Sequence, residues 1–222
     1  MFKHDLVELE DLKIKNVDGK RLYITPNGNY PSVTTVTSLL VKEGIAKWRK
    51  RVGEEVANKI TSTASRRGTN VHKAFEKYLL NEEIPTLAPS NQFLFDDLAP
   101  ILAERIGLIR GVEAPLYSDY LRVGGRVDAV CEWDGVLSIV DFKTASKRKY
   151  ESYITNYYLQ SSAYAVMFEE RTQIPVSQIV IAIAVENDEP QIFVKKRDEY
   201  IESFQELREQ FDGYNPLPLL AK

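Results

Sequence analysis

Asp141 and Lys143 close the apolar run Val136-Leu137-Ser138-Ile139-Val140, which reads as a buried strand. A side-chain period of two puts both charges on one face of that strand and Phe142 on the other. Charges at the end of a buried strand are costly unless they are paired or bound to a metal. Asp128 interrupts a second apolar stretch, Gly124-Gly125-Arg126-Val127-Asp128-Ala129-Val130. Antiparallel strands joined at Asp134-Gly135 would bring the two carboxylates to one sheet edge. Two hard oxygen ligands, with waters and a backbone carbonyl such as that of Phe142, make an octahedral site for Mg²⁺ or Mn²⁺, as one ion or two. Lys143 would then steady a metal-bound hydroxide or a phosphate charge. The competing reading is a salt-bridged structural trio. The tripeptide alone decides nothing, since Asp11-Leu12-Lys13 and Asp18-Gly19-Lys20 also fit it.

Two helical pairs bear on that choice. His72 and Glu76 are i, i+4 and share a helix face, as do Gln160 and Tyr164. Either pair alone is read as structural. The elements that must position them follow from periodicity and breakers. Residues 12–25 read as a hairpin turning at Asp18-Gly19, followed by a Pro/Gly/Asn loop over 26–31. Helices are expected near 33–42, 45–60, 64–80 and 90–107, broken by Gly44, by the Ser/Thr cluster 61–65, and by Pro85 and Pro89. Strands are expected over 111–117, 120–133 and 136–143, a helix over 153–171, strands over 176–186 and 191–195, and a last helix over 198–212. That order predicts an α/β fold, a mixed sheet with helices on both faces and a helical N-terminal half. One domain over 1–222 is expected, with 1–63 a possible accessory subregion and 64–215 the core.

Composition narrows the chemistry. One cysteine, Cys131, excludes an internal disulfide framework and Cys-rich zinc or iron–sulfur sites, and two histidines exclude a multi-His metal site. The N-terminal residues show no signal or transit pattern and no run is long enough to span a membrane, so a cytoplasmic protein with no membrane partner is expected. The net charge of −3 argues against a generic basic coat for nucleic acid but not against a local basic groove. Residues 42–73 carry nine Lys/Arg against three Glu, an excess of +6, which is either such a groove or a solvated helix face.

Taken together, His72, Gly125 with Asp128, Asp141 with Lys143 and Thr144, and Gln160 with Tyr164 follow the order of a family pattern: His, Gly-x-x-Asp, Asp-x-Lys-Thr, Gln-x-x-x-Tyr. The chain resembles the PD-(D/E)xK nuclease superfamily in its RecB-type branch over about residues 66–165. Val127 stands where other members of the superfamily have proline, which that branch commonly lacks. Tyr30-Pro31-Ser32-Val33-Thr34-Thr35-Val36, Lys47-Trp48-Arg49 and the Arg67-Gly68…His72 helix start are similar to mitochondrial genome maintenance exonucleases and their phage and bacterial relatives.

The resemblance implies a restriction-endonuclease-like core and Mg²⁺/Mn²⁺-dependent exonucleolytic cleavage of single-stranded DNA, in replication, repair or recombination. It implies that His72, Asp128 and Asp141 bind metal, that Lys143 assists the attacking water, and that Gln160 and Tyr164 support the site or the strand. Arg66, Arg67 and Thr144 would join them at the strand, with Glu76 supporting. Trp48, Tyr157 and Tyr158 are candidates to stack bases. Ser32, Thr34 and Thr35 at a helix start would bind phosphate or merely cap the helix. The alternatives are a structure-specific endonuclease and a non-catalytic DNA-binding module.

Overall fold

The apolar run ending at Asp141 is covered on both sides, which is why it reads as nearly continuous Val, Ile and Leu. A computed structural model describes residues 1–17 and 19–214; Asp18, at the predicted turn, and 215–222, the end of the expected domain, lie outside the described residues. The elements are β1 (Lys3–His4), β2 (Lys13–Val17), β3 (Lys20–Thr25), β4 (Gly28–Pro31), α1 (Val33–Thr37), α2 (Leu39–Val52), α3 (Glu54–Leu79) and α4 (Pro89–Arg105). They continue with β5 (Ile106–Ser118), β6 (Val123–Trp133), β7 (Val136–Ala145), α5 (Thr155–Thr172), β8 (Gln178–Val185), β9 (Gln191–Lys196) and α6 (Ile201–Asp212).

The main sheet has six strands in the order β1-β5-β6-β7-β8-β9. β5, β6 and β7 form an antiparallel meander, and α5 makes the crossover that lets β8 lie parallel to β7. Asp134 and Gly135, at φ 51° and 81°, supply the left-handed pair that a two-residue turn between β6 and β7 needs. Alternation along β7 sorts its side chains as expected. Val140 and Phe142 pack with Phe75, Leu94 and Leu98 from α3 and α4. Ile139 packs with Tyr158, Phe168 and Phe204 from α5 and α6. The architecture is the expected mixed α/β one, with helices on both faces.

Three expectations change. The Ser/Thr cluster 61–65 does not break a helix: α3 runs unbroken through it and through Gly68. Ser and Thr favour caps, yet on a solvated stretch without competing tertiary contacts they cost a helix only a few tenths of a kcal/mol each. Gly44 likewise lies within α2, whose end is set by Gly53 at φ 86°. The loop expected over 26–31 contains β4, which completes a three-stranded sheet with β2 and β3. That small sheet is tied to the main one through Asp119, which accepts hydrogen bonds from Asn27 Nδ2 (3.0 Å) and Tyr30 Oη (2.9 Å).

Two glycines at the start of β6 permit close approach. A Cβ on Gly124 would lie 2.5 Å from Tyr23 Cβ in the small sheet, and one on Gly125 would lie 2.5 Å from Tyr164 Cε1 in α5. Tyr164 is 4% exposed and has nowhere to retreat. Gly125→Ala should therefore lower stability by about 1–3 kcal/mol through overpacking. Gly44→Ala, with nothing within 4 Å, should be neutral or gain up to about 1 kcal/mol. Urea unfolding of the two variants tests this. Equal stabilities would show that the contact at Gly125 does not govern.

Candidate active site

The last β6–β7 pair is Ala129↔Val140, so Asp128 and Asp141 occupy the facing positions just beyond it. The Asp128 side chain takes over the lost ladder bond: Phe142 N donates to Asp128 Oδ2 at 2.8 Å. Asp141 lies beneath α5 and is 2% exposed. Its Oδ1 accepts from Gln160 Nε2 at 2.7 Å, and its Oδ2 is ion-paired with Lys143 Nζ. The Lys143 ammonium also lies over the Tyr157 ring, 5.0 Å from its centroid. From the opposite face α3 brings His72, whose Nδ1 is 3.5 Å from Asp128 Oδ2. The structure thus gathers His72, Asp128, Asp141, Lys143, Gln160 and Tyr164 around the end of the β6–β7 pairing.

One member was not anticipated. The β5–β6 register, Val112↔Ala129 and Ala114↔Val127, sets Glu113 opposite Asp128. Ligand atoms of His72, Glu113 and Asp128 all lie within 4.8 Å of one another. Glu113 holds φ at 47°, a left-handed conformation that costs a non-glycine residue and recurs at functional sites. The available signal was the one used for the aspartates, an acid interrupting the apolar alternation of a buried strand.

The electrostatics show charges crowded without enough neutralisation. Burial, then Asp128 and Glu76, pushes the Glu113 carboxyl up to about 7. Burial lifts Asp141 to about 6 against the pull of Lys143. Burial would also raise Asp128, but His72 outweighs it and holds that carboxyl below the usual range. Burial would lower His72 and Lys143, but their carboxylate partners outweigh it and both are raised. A nitrogen and carboxylate oxygens converging on one point, with one carboxylate destabilised by its neighbours, fit a divalent metal ion. Ligation needs Glu113 without its proton and His72 neutral, and both keep their protons to higher pH than usual. Mn²⁺ affinity should accordingly rise from about pH 6 to about pH 8. Calorimetric titration measures it, and a flat or falling profile would remove Glu113 and His72 from the ligand set.

A cleft of about 630 Å³ opens onto these groups, lined by Arg21 of β3, by Gly68, Thr69, Asn70, Lys73 and Glu76 of α3 beside His72, and by Glu113. Glu76 faces it while ion-paired with Lys73 at 2.6 Å. Other sequence candidates lie elsewhere or are engaged. Ser32 is buried as the N-cap of α1, accepting from Thr35 N at 3.0 Å and contacting the Thr34 and Thr35 hydroxyls at 3.0 and 2.6 Å. This is the capping alternative, at a helix of only five residues. Arg67 binds Glu186 and donates to Thr144 Oγ1 at 3.3 Å, stitching α3 to the ends of β7 and β8, while Arg66 is exposed. Tyr158 is 2% exposed and packs on Tyr200, so its ring belongs to the core and not to a bound base. Trp48 is half-buried on α2.

The family model of the PD-(D/E)XK nuclease superfamily matches residues 92–214, more than half of the chain. Mitochondrial genome maintenance exonuclease 1 of Homo sapiens is 29% identical over 132 residues, 54% of this chain and 38% of that protein. The Mus musculus protein of the same name is 28% identical over 111 residues, 47% of this chain and 32% of that protein. The matches therefore span about a third of those relatives' length. A solved structure from Eubacterium rectale, named "Putative exonuclease", superposes with a TM-score of 0.45 at 16% identity, covering 67% of this chain and 64% of that one. That likeness is too slight to carry an argument.

Proposed function

The chain belongs to the PD-(D/E)XK nuclease superfamily, and from that premise we propose that it is a Mg²⁺- or Mn²⁺-dependent deoxyribonuclease that degrades single-stranded DNA from free ends. The observation that supports this best is the convergence of His72, Glu113 and Asp128 beside the buried Asp141–Lys143 pair. His72, Glu113 and Asp128 would hold the metal ion, with Asp141 and the Phe142 carbonyl at its border. The ion would polarise the scissile phosphate and make a bound water acidic enough to attack near neutral pH. Lys143 keeps its ammonium at the reaction centre, fixed by Asp141 and the Tyr157 ring, where it can offset charge developing on phosphate oxygens. Gln160 fixes the other oxygen of the Asp141 carboxylate by donating a hydrogen bond to it. Tyr164, packed on Gly125, holds α5 against the strand that carries Asp128. A nitrogen ligand favours Mn²⁺ over Mg²⁺ in binding.

The form of DNA is inferred from the N-terminal helices, which continue through α3 into the nuclease unit. α2 buries no residue, and before Val71 α3 buries only Ala57, so this pair projects while carrying most of the basic residues of 42–73. Such a pair would guide a flexible strand through sequence-independent, salt-sensitive phosphate contacts. Threading requires an end, so products should be short. The test uses end-labelled linear and closed circular single strands with Mg²⁺ or Mn²⁺. Rapid loss of the linear strand with the circle intact supports the reading. Efficient nicking of the circle would make the protein an endonuclease, and no cleavage of either would leave a binding module.

A further inference from the structure

A second feature of the β7–α5 connection lies outside the metal cluster. Tyr150 and Tyr153 are each 75% exposed, and their rings meet edge to face with centroids 6.0 Å apart and planes at 78°. Single exposed aromatics are ordinary, but two in mutual contact leave a larger apolar patch than folding requires. The segment is held in place nonetheless. Lys149 N donates to Gln191 Oε1 at 2.7 Å and Gln191 Nε2 donates back to Lys149 O at 3.0 Å. Tyr153 N donates to Tyr150 O at 2.9 Å, and the next residue, Ile154, is fully buried. The patch is bordered by Lys147, Arg148 and Lys149, all exposed, with Arg148 also 3.2 Å from Asp188. The one acid within it, Glu151, is neutralised by Lys195. Tyr153 comes four residues before Tyr157, the ring that lies over Lys143.

Water-exposed rings on a hydrogen-bonded segment, bordered by exposed cations, match a polyanion that carries flat apolar groups, which is the chemistry of an unpaired nucleic-acid strand. We propose that Tyr150 and Tyr153 stack unpaired bases of a single strand running to or from the Lys143 end of the site, while Lys147 and Lys149 contact its phosphates. This rests on the single-strand reading above and names the surface that would hold the strand beside the cleft. A duplex, with its bases already stacked inside, offers the rings nothing.

The test is fluorescence anisotropy in chelator, with a labelled mixed-sequence single strand and an abasic deoxyribose-phosphate strand of the same length. Tyr150→Ala/Tyr153→Ala should weaken binding of the base-bearing strand about tenfold or more, from stacking of ~1–3 kcal/mol per base. It should leave the abasic strand unaffected and thermal unfolding unchanged. Tyr150→Phe/Tyr153→Phe should retain binding. Lys147→Ala/Lys149→Ala should weaken both strands and flatten the salt slope by about 1.4, at ~0.7 per phosphate contact. Equal binding of the base-bearing strand by wild type and the double alanine variant would overturn the platform, as would an equal loss on both strands. If the wild type cleaves single strands while the platform variant binds like it, only the platform fails. If the wild type neither binds nor cleaves them, the single-strand reading fails and the platform with it.

Discussion

Asp141→Asn and Lys143→Ala should each lower the rate of strand cleavage by at least about 10²-fold while leaving the protein folded. Asparagine keeps the oxygen that Gln160 bonds but turns an amide donor toward the Lys143 ammonium, so the pair that fixes the lysine becomes a repulsive contact. Lys143→Ala acts twice. It removes a positive charge from the reaction centre and it leaves Asp141, 2% exposed, without its ion-pair partner. A buried carboxyl already lifted to about 6 would then take up a proton near neutral pH. The loss in Lys143→Ala should therefore shrink as pH rises, whereas that in Asp141→Asn should not. Initial rates on an end-labelled strand across pH, with circular dichroism as a check on folding, decide the matter. Turnover near wild type in either variant would reduce the pair to a structural salt bridge.

What the sequence made legible depended on how many residues shared one periodic signal. The β7 alternation is long enough to assign faces, so Asp141 and Lys143 could be separated from Phe142 and paired with Asp128 across the Asp134-Gly135 turn. Glu113 is harder to read because it is the one charged residue in the strand expected over 111–117, with no second acid or lysine at period two to mark a site. Its registry against Asp128 is set by the turn joining Ser118 to Val123, where Asp119-Tyr120-Leu121-Arg122 carries no Gly or Pro turn signal. β1, of two residues, is set by pairing with the distant β5 and leaves no local trace, and β4, four residues of Gly, Asn, Tyr and Pro, has loop composition although it pairs with the adjacent β3. The continuity of α3 was hidden for a related reason. Its Ser/Thr cluster has cap chemistry, but a cap forms only where the chain turns, and here tertiary contacts of the later half, from Val71 to Leu79, keep the helix going. Arg67 shows the converse: in a basic stretch it reads as a phosphate contact, and the fold pairs its guanidinium with Glu186, 119 residues away, which no local pattern reveals.

Glu113→Gln should produce opposite effects on metal binding and on stability. Replacing the carboxylate removes an anionic ligand candidate from the set with His72 and Asp128, and Mn²⁺ affinity should fall by at least about 10²-fold, since even outer-shell losses reach 10–100-fold. Cleavage at limiting metal should fall with it. Stability in chelator should move the other way. The Glu113 carboxyl is raised from 4.5 to about 7, so its stabilising contribution is present in full below about 4.5 and is lost as pH rises through about 7. Near pH 8 the wild type holds three mutually repelling carboxylates, Glu76, Glu113 and Asp128, against His72, and the glutamine variant is relieved of one. Its thermal midpoint in chelator should exceed that of wild type near pH 8, and the difference should vanish near pH 4.5. Added Mn²⁺ should raise the midpoint of the wild type more than that of the variant, because a ligand stabilises the state it binds in proportion to affinity. The left-handed backbone at Glu113 is unchanged by the substitution, so a simple loss of fold is not expected. Wild-type Mn²⁺ affinity in Glu113→Gln would remove Glu113 from the metal site. A lowered midpoint in chelator near pH 8 would show that its carboxylate serves the fold and not a bound cation.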